Sequence, residues 1–411
     1  MSADSKPLLK PESNQAHPEL ENLRKQIDKI DTELVTLLEK RASVVFAVGD
    51  YKKVNQLPAH DPAREKKIKN RIQNLVSKDS PFSVNEMQSL FMTLVERFRF
   101  FESAHMLKSS AVTSRQATSI DFSKTQQVVL WGFGLLGSSI YLALNESLPH
   151  WNFQIVDPHV DVDTFLSWKS ERKLKNIDLI NSDQMQNGKL FILGGPVDVN
   201  ARHLKEFTFP KDSLVFDLGS TKSTMTDTYS KRKKESSASF TFVGGHPLAG
   251  REYSGFENGD ALLFYNKTFC WVTSHDHPLD ETTKNTFDNI AHYLGAVPFW
   301  IDSAEHDSAI AWTSHLPQIL SSTLARCLED KKFSSKDEMF PGVIRDLLRV
   351  SGSSFTMWQS IIQTNQKPLQ AALAELTQQL QKAQQDLQSS QGSEKIFKDS
   401  NKFYMKFKRG A

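Results

Sequence analysis

Three groups of residues have types and spacings that suit chemistry. The first is Gly132-Phe133-Gly134-Leu135-Leu136-Gly137, which follows the apolar run Val128–Leu130 and opens a stretch of helical texture. In a strand–turn–helix unit the first glycine permits the tight turn. The second lets the backbone approach a pyrophosphate, and the third lets the helix pack closely. The N-terminus of the following helix offers N–H donors and a partial positive charge to phosphates. All six residues, from Gly132 to Gly137, are therefore candidates for binding a dinucleotide. Asp157 ends the next apolar run, Phe153–Val156, about 20 positions on. A carboxylate there accepts from both ribose hydroxyls, which favours NAD over NADP.

The second group comprises Asp217-Leu-Gly-Ser220-Thr-Lys222 and Gly244-Gly-His246-Pro-Leu-Ala-Gly250, each following a strand-like run. Open α/β sheets bind ligands at the carboxyl ends of their strands. A histidine in a Gly/Pro-rich turn at that edge is directed into the crevice, so His246 is a candidate base and Ser220 a candidate partner. The third group lies in the first hundred residues. Arg41 and Lys52 are about three helical turns apart and share a face. Arg24 lies off that face, too far to reach the same small ligand from the same helix. Asp61, Arg64 and Glu65 open a second helix. Glu102 continues the series Phe91, Val95, Phe98, which puts a carboxyl on an apolar stripe. Burial there would keep it protonated, and an activity that used it would fall at alkaline pH.

The elements that position these residues follow from periodicity. Leu20, Leu23, Ile27, Ile30, Leu34, Leu37, Leu38, Val44, Val45 and Val48 recur at helical spacing. They predict one long helix, followed by a short helix from about Ala63 and a third over 83–105. Three such helices bury little on their own, which predicts a dimer. Residues 1–18 read as a disordered tail, 19–105 as a helical domain and 106–125 as a Ser/Thr-rich linker. Residues 126–301 alternate apolar runs with helical stretches, which predicts a Rossmann-type doubly wound parallel sheet. Residues 302–390 read as helical, and 391–411 as a frayed basic tail. Leu369, Leu373, Leu376, Leu380, Ala383 and Leu387 form a seam that packs either within its own subunit or across a dimer. The fold class is multidomain: α, then α/β, then a helical dimerisation domain.

Composition narrows the functions. A net charge of +2 argues against a dedicated nucleic-acid binder. No apolar run reaches the roughly 20 residues a membrane helix needs, and the N-terminus has no signal-peptide core, so the expected location is the cytoplasm. The two cysteines, Cys270 and Cys327, make no disulfide framework, and no metal-site spacing is present.

From Gln127 to Lys367 the sequence resembles the prephenate dehydrogenase family. The resemblance is carried by GFGLLG, DLGSTK, GGHPLAG, Glu305-His306-Asp307, SHLP around His315, and RDLLRV followed by Met357-Trp358. It implies that His246 draws a proton from the ring hydroxyl of prephenate as hydride leaves for NAD, with Ser220 holding His246 in line. It further implies that Arg349 binds a substrate carboxylate within a network of Glu252 and Asp346, and that His315 and Trp358 line the pocket. Two positions depart from the family pattern: Gln318 stands where a second histidine is common, and Arg251 where a small residue is common. Residues 19–103 resemble the helical chorismate mutases. That likeness implies that Arg41, with Arg24 from a partner chain, clamps the substrate carboxylates. Lys52 and Glu102 would then meet the ether oxygen, Arg64 and Asp61 would support, and Glu65 would take the ring hydroxyl. Phe98 departs from a position that often holds Ser. Together the two likenesses imply one enzyme of tyrosine biosynthesis acting on chorismate and then prephenate. Two alternatives stay open: an inactive, dimerising mutase-like domain, and arogenate as the substrate of the dehydrogenase.

Overall fold

The computed structural model describes residues 18–410 except 56, 58–60, 110–117, 183–184, 186–187, 236–238, 252, 274–277 and 332–339. Glu252 lies outside the described residues, as do nearly all of the N-terminal tail and part of the linker. The chain divides into two compact units, Met1–Ala111 and Val112–Ala411.

The first unit holds three helices: α1 (Pro18–Val54), α2 (Pro62–Leu75) and α3 (Val84–Ser109). Asp61 caps α2, accepting from Arg64 N at 2.9 Å, and Pro62 takes the first turn, where its missing N–H is harmless. Ser83 and Glu86 form a reciprocal capping box before α3 (2.7 and 3.2 Å). The core is small: Ile72, Val95 and Phe98 are its buried apolar side chains among the described residues. The apolar stripe of α1 is left largely uncovered, with Leu23, Ile27, Ile30, Leu34 and Leu37 each more than half exposed.

The second unit is built on an eight-stranded sheet of order β3-β2-β1-β4-β5-β6-β7-β8. The strands are β1 (Gln127–Trp131), β2 (Asn152–Val156), β3 (Ile177–Leu179), β4 (Leu190–Leu193), β5 (Leu214–Asp217), β6 (Thr241–Pro247), β7 (Thr268–Thr273) and β8 (Val297–Asp302). Side chains alternate between two cores, as the period of two requires. Val128, Leu130, Leu190, Ile192 and Phe216 face one core. Val129, Phe191, Leu193 and Val215 face the other. The first core is closed by α4 (Leu135–Ser147), α5 (Val162–Glu171) and α8 (Glu281–Tyr293), the second by α6 (Val197–Glu206) and α7 (Ser223–Glu235). Helices on both faces make the sheet doubly wound. It is not wholly parallel, because β7 runs antiparallel to β6. Two strands escape the sequence patterns. β3 is three residues long, and β8 is an edge strand that tolerates Pro298.

The remaining helices are α9 (Ser303–Ile310), a π turn at Ala311–His315, α10 (Leu316–Asp330), α11 (Gly342–Leu348), a 3-10 turn at Arg349–Gly352, α12 (Phe355–Thr364), α13 (Gln366–Asp386) and α14 (Ser390–Gly410). The leucine seam of α13 divides. Leu369 and Leu376 pack with Leu316, Ile319 and Ile362 of the same chain, while Leu380 and Leu387 are exposed. α14 replaces the expected frayed tail. Along it Phe397 and Tyr404 stand about two turns apart on one face, and both are exposed.

Candidate functional site

In the second unit the glycine motif forms the turn between β1 and α4. Gly132 has φ 99°, and an added Cβ would lie 2.7 Å from the Gly194 and Gly195 backbone. Its N–H donates to Val156 O at 2.9 Å, which ties the turn to the end of β2. A Cβ on Gly137 would stand 2.5 Å from Gly132 O, so this glycine serves the approach of helix to turn. At Gly134 a Cβ would meet nothing within 4 Å, which leaves open space before α4. The first bond of that helix is Ser138 N to Gly134 O at 3.0 Å. The N–H groups of Leu135, Leu136 and Gly137 therefore have no acceptor within the helix. That donor set suits a pyrophosphate. Phe133 meets the ligand side only through its backbone, because its ring is buried against Trp168 and Phe256. Leu135 and Leu136 likewise pack on the core. Asp157 accepts from Phe133 N at 2.7 Å and from His159 N at 2.9 Å. Each carboxylate oxygen keeps a lone pair for a ribose hydroxyl.

His246 lies not in the expected turn but within β6, paired with Cys270 of β7, and the end of β5 meets it through a pair whose importance the sequence does not reveal. Asp217 and Lys222 are fully buried and ion-paired. Lys222 Nζ also donates to Gly245 O at 2.7 Å, and Gly245 N donates to Asp217 Oδ1 at 3.2 Å. The pair thus fixes the backbone one residue before His246. His246 is half-buried, and its Nδ1 lies 2.9 Å from Nε2 of buried His306. His306 Nδ1 is 2.9 Å from Asp307 Oδ1. Asp307 also accepts from the Lys222 and Ser223 N–H groups at 2.7 and 2.9 Å, which caps α7. Burial pushes His246 well below the ordinary histidine range, helped by His306, Lys222 and His315. Burial would raise Asp307, but its hydrogen bonds from His306, Ser223 and Lys222 outweigh that and hold its carboxyl below the usual range. Ser220, expected to hold His246, is half-buried in the loop after β5, and among the described residues no hydrogen bond joins the two; His246 Nδ1 meets His306 instead. α9 brings His306 to the site, and the sequence marks it only as the middle of Glu305-His306-Asp307.

His315, in the π turn, and Trp358, on α12, meet edge to face at 5.6 Å. Asn365 Nδ2 donates to His315 Nδ1 (3.0 Å) and to Asp307 O (2.9 Å). Burial lowers the His315 pKa to about 4. His315 Nε2 and Trp358 Nε1 are buried with no hydrogen-bond partner among the described residues. Polar atoms in that state call for a water or a ligand. Gln318 is buried; its carbonyl accepts from Ser353 Oγ at 3.4 Å, tying α10 to the end of the 3-10 turn. Arg349 opens that turn and Asp346 lies on α11, both exposed. Arg251 pairs with Asp260 at the rim.

In the first unit Lys52 Nζ stands 2.7 Å from Glu102 Oε1, with both side chains mostly buried. The carboxyl expected on the apolar stripe is therefore one half of an ion pair. The Arg41 guanidinium lies 4.1 Å above the Phe98 ring. Its Nη1 is buried without a hydrogen-bond partner among the described residues, and burial, then Arg64, lowers its pKa. Asp61 serves as the cap that sets Arg64. Glu65 pairs with Arg99 at 2.9 Å. Arg24 is exposed and pairs with Glu21 at 2.6 Å. Among the described residues no acidic, histidine or cysteine cluster is arranged to hold a metal, and no helix is long and apolar enough to cross a membrane.

Residues 23–103 match the chorismate mutase type II family, 160–297 the prephenate dehydrogenase nucleotide-binding domain and 302–399 the prephenate dehydrogenase dimerization domain. A chorismate mutase of Methanocaldococcus jannaschii is 31% identical over 87 residues, 21% of this chain and 87% of that protein. A prephenate dehydrogenase of Lactococcus lactis is 29% identical over 245 residues, 58% of this chain; the chain spans 65% of that relative's length. The fold matches a crystal structure of Aquifex aeolicus prephenate dehydrogenase in complex with hydroxyphenyl propionate and NAD+. That match has a TM-score of 0.57 at 20% identity and covers 70% of this chain and 99% of that one. The chain belongs to the chorismate mutase type II family through its first unit and to the prephenate dehydrogenases through the nucleotide-binding and dimerization domains of its second.

Proposed function

We propose that this chain is a bifunctional enzyme of tyrosine biosynthesis. It rearranges chorismate to prephenate in the first unit and oxidatively decarboxylates prephenate to 4-hydroxyphenylpyruvate with NAD in the second. The observation that carries this reading is that each site ends in buried polar atoms without a hydrogen-bond partner among the described residues. These are Arg41 Nη1 in one unit, and His315 Nε2 with Trp358 Nε1 in the other.

In the mutase site no proton needs to move. Arg41 binds a carboxylate, its planar fork set by the Phe98 ring beneath it. The Lys52–Glu102 pair meets the ether oxygen as charge develops there. Arg64 and Asp61 support that surface, and Glu65 takes the ring hydroxyl. Arg24 comes from a second copy, whose α1 covers the exposed stripe of the first. A homodimer also accords with the dimerization domain of the second unit. Arg41 stacked on Phe98 favours a working site over an inactive module.

In the dehydrogenase site the bound cofactor supplies the hydride acceptor. It is held at the Gly132–Gly137 turn by the N–H groups of Leu135, Leu136 and Gly137, and by Asp157, which favours NAD. Neutral His246 takes the ring hydroxyl proton. The O–H electron pair becomes a carbonyl bond as the hydride leaves the same carbon. Loss of carbon dioxide then returns its electron pair to the ring, which becomes aromatic. His315 and Trp358 line the pocket, Ser220 meets the hydroxyl, and Arg349, with Glu252 and Asp346, receives a carboxylate. The substrates are small molecules, with no nucleic acid or membrane partner, and the expected location is the cytoplasm.

The test is to assay the purified chain with chorismate, prephenate and arogenate, each with NAD and with NADP. Conversion of chorismate to prephenate, together with NAD reduction that prefers prephenate, is expected. Preference for arogenate would overturn the substrate assignment. Failure to consume chorismate would overturn the mutase.

A further inference from the structure

Asp307, His306 and His246 form a continuous line of hydrogen-bonding groups, each link 2.9 Å long. With both imidazoles neutral, the direction of every bond in it follows from the Asp307 end. Asp307 is already an acceptor for two backbone N–H groups, and an ionised carboxylate only accepts. His306 Nδ1 must therefore donate to it. A neutral imidazole has one N–H, so His306 Nε2 is an acceptor. His246 Nδ1 must then donate to His306, which leaves the lone pair of His246 on Nε2. No protein group among the described residues hydrogen-bonds that nitrogen.

We infer that His306 is a positioning residue that fixes the tautomer and aim of His246, with Asp307 anchoring it. This inference rests on the proposed dehydrogenase reaction. The base is thereby set as Nε2 before substrate arrives. When Nε2 takes the hydroxyl proton, the cation formed on His246 still has an acceptor for its Nδ1–H, and the Asp307 charge lies one ring further along. Other charged or titratable groups around His246 are Lys222 with Asp217 below it, His315 and Cys270. Asp217 is fully engaged by Lys222 and by backbone N–H groups. Cys270, opposite His246 across the β6–β7 pair, has its thiol pushed up to about 11 by burial. None of them offers His246 Nδ1 a hydrogen bond, so the relay falls to His306.

The test compares His306→Ala with His306→Gln in the full chain. Gln carries an amide oxygen to the place of the lost Nε2 and can accept from His246 Nδ1. For His306→Ala, kcat with prephenate and NAD should fall about 10²-fold, since loss of an orienting partner costs a general base much of its typical effect. KM should move less than about threefold, and His306→Gln should recover about tenfold in kcat. His306 lies in the second unit, so NAD binding by calorimetric titration and the thermal unfolding of each variant, rather than chorismate turnover in the first unit, report that its fold is kept. A kcat for His306→Ala within about threefold of wild type, or equal impairment of the two variants, would overturn the inference. Nitrogen-15 NMR of histidine-labelled wild-type protein decides the point without any variant. His246 protonated on Nδ1 supports the relay, and His246 protonated on Nε2 refutes it. If wild type reduces no NAD with either prephenate or arogenate, the functional reading fails, and the tautomer still decides the relay.

Discussion

Gly134→Ala separates binding from folding at the dinucleotide turn. Gly134 has φ −81° and ψ −158°, extended backbone that alanine also adopts. Its added Cβ meets no atom within 4 Å, so the folded chain is not strained. Losing a glycine also restricts the unfolded chain, a gain of about 0.4–1 kcal/mol. The same methyl would occupy the open space before α4, where the pyrophosphate must come close. Displacing the phosphates by a fraction of an ångström weakens several charge-assisted bonds at once, each worth about 1.5–3 kcal/mol. Loss of one such bond already raises Kd about tenfold or more. Gly137→Ala is the contrasting variant. Its Cβ would lie 2.5 Å from a backbone oxygen that cannot step aside, and overpacking of that kind costs about 1–3 kcal/mol. Calorimetric titration with NAD and thermal unfolding should therefore divide the two. Gly134→Ala keeps its melting temperature and loses affinity, whereas Gly137→Ala loses stability. Wild-type NAD affinity in Gly134→Ala would refute the placement of the pyrophosphate.

Three further outcomes follow from the same geometry. Ile30→Glu places a charge on the exposed face of α1, where Ile30 is 63% exposed. If a second copy covers that face, the variant loses mutase activity and keeps the dehydrogenase, whereas unchanged mutase turnover would show the face uncovered. Phe98→Leu keeps most of the buried volume but removes the ring under Arg41; a cation–π contact worth about 0.5–2 kcal/mol predicts a several-fold rise in KM for chorismate, and an unchanged KM would count against the stacking. For pH, His315 is depressed to about 4 in the folded chain. It thus contributes stability that is present above about pH 6.5 and lost as pH falls toward 4, on the order of 3 kcal/mol. Unfolding measured between pH 7 and 4.5 should show that slope in wild type and a shallower one in His315→Asn; equal slopes would contradict the assignment.

Much of the fold was legible because its signals are local. Gly132 to Gly137 and Asp157 announce a strand–turn–helix unit within one short stretch. The apolar stripe of α1 announces both a helix and its need for cover. The pairing of Asp217 with Lys222 could be suspected only from a lysine and an aspartate amid small and apolar residues at a strand end, because burial of a charge depends on what packs around it. The contact of His306 with His246 joins residues on α9 and β6 that no periodicity relates. The family resemblance names Ser220 for that place and gives His306 no role. Phe98 read as a loss of a polar group, and only the position of α1 against α3 shows it serving Arg41. The antiparallel β7 and the short β3 fall below what apolar runs resolve, since neither direction nor a three-residue strand leaves a pattern in sequence.

The measurement that bears most directly on the account is NADH formation by the single purified chain supplied with chorismate and NAD alone. NADH should appear, with prephenate as the transient. Arg41→Ala should abolish NADH from chorismate while leaving NADH from prephenate intact. NADH from prephenate but none from chorismate in the unaltered chain would contradict the claim that one chain performs both steps.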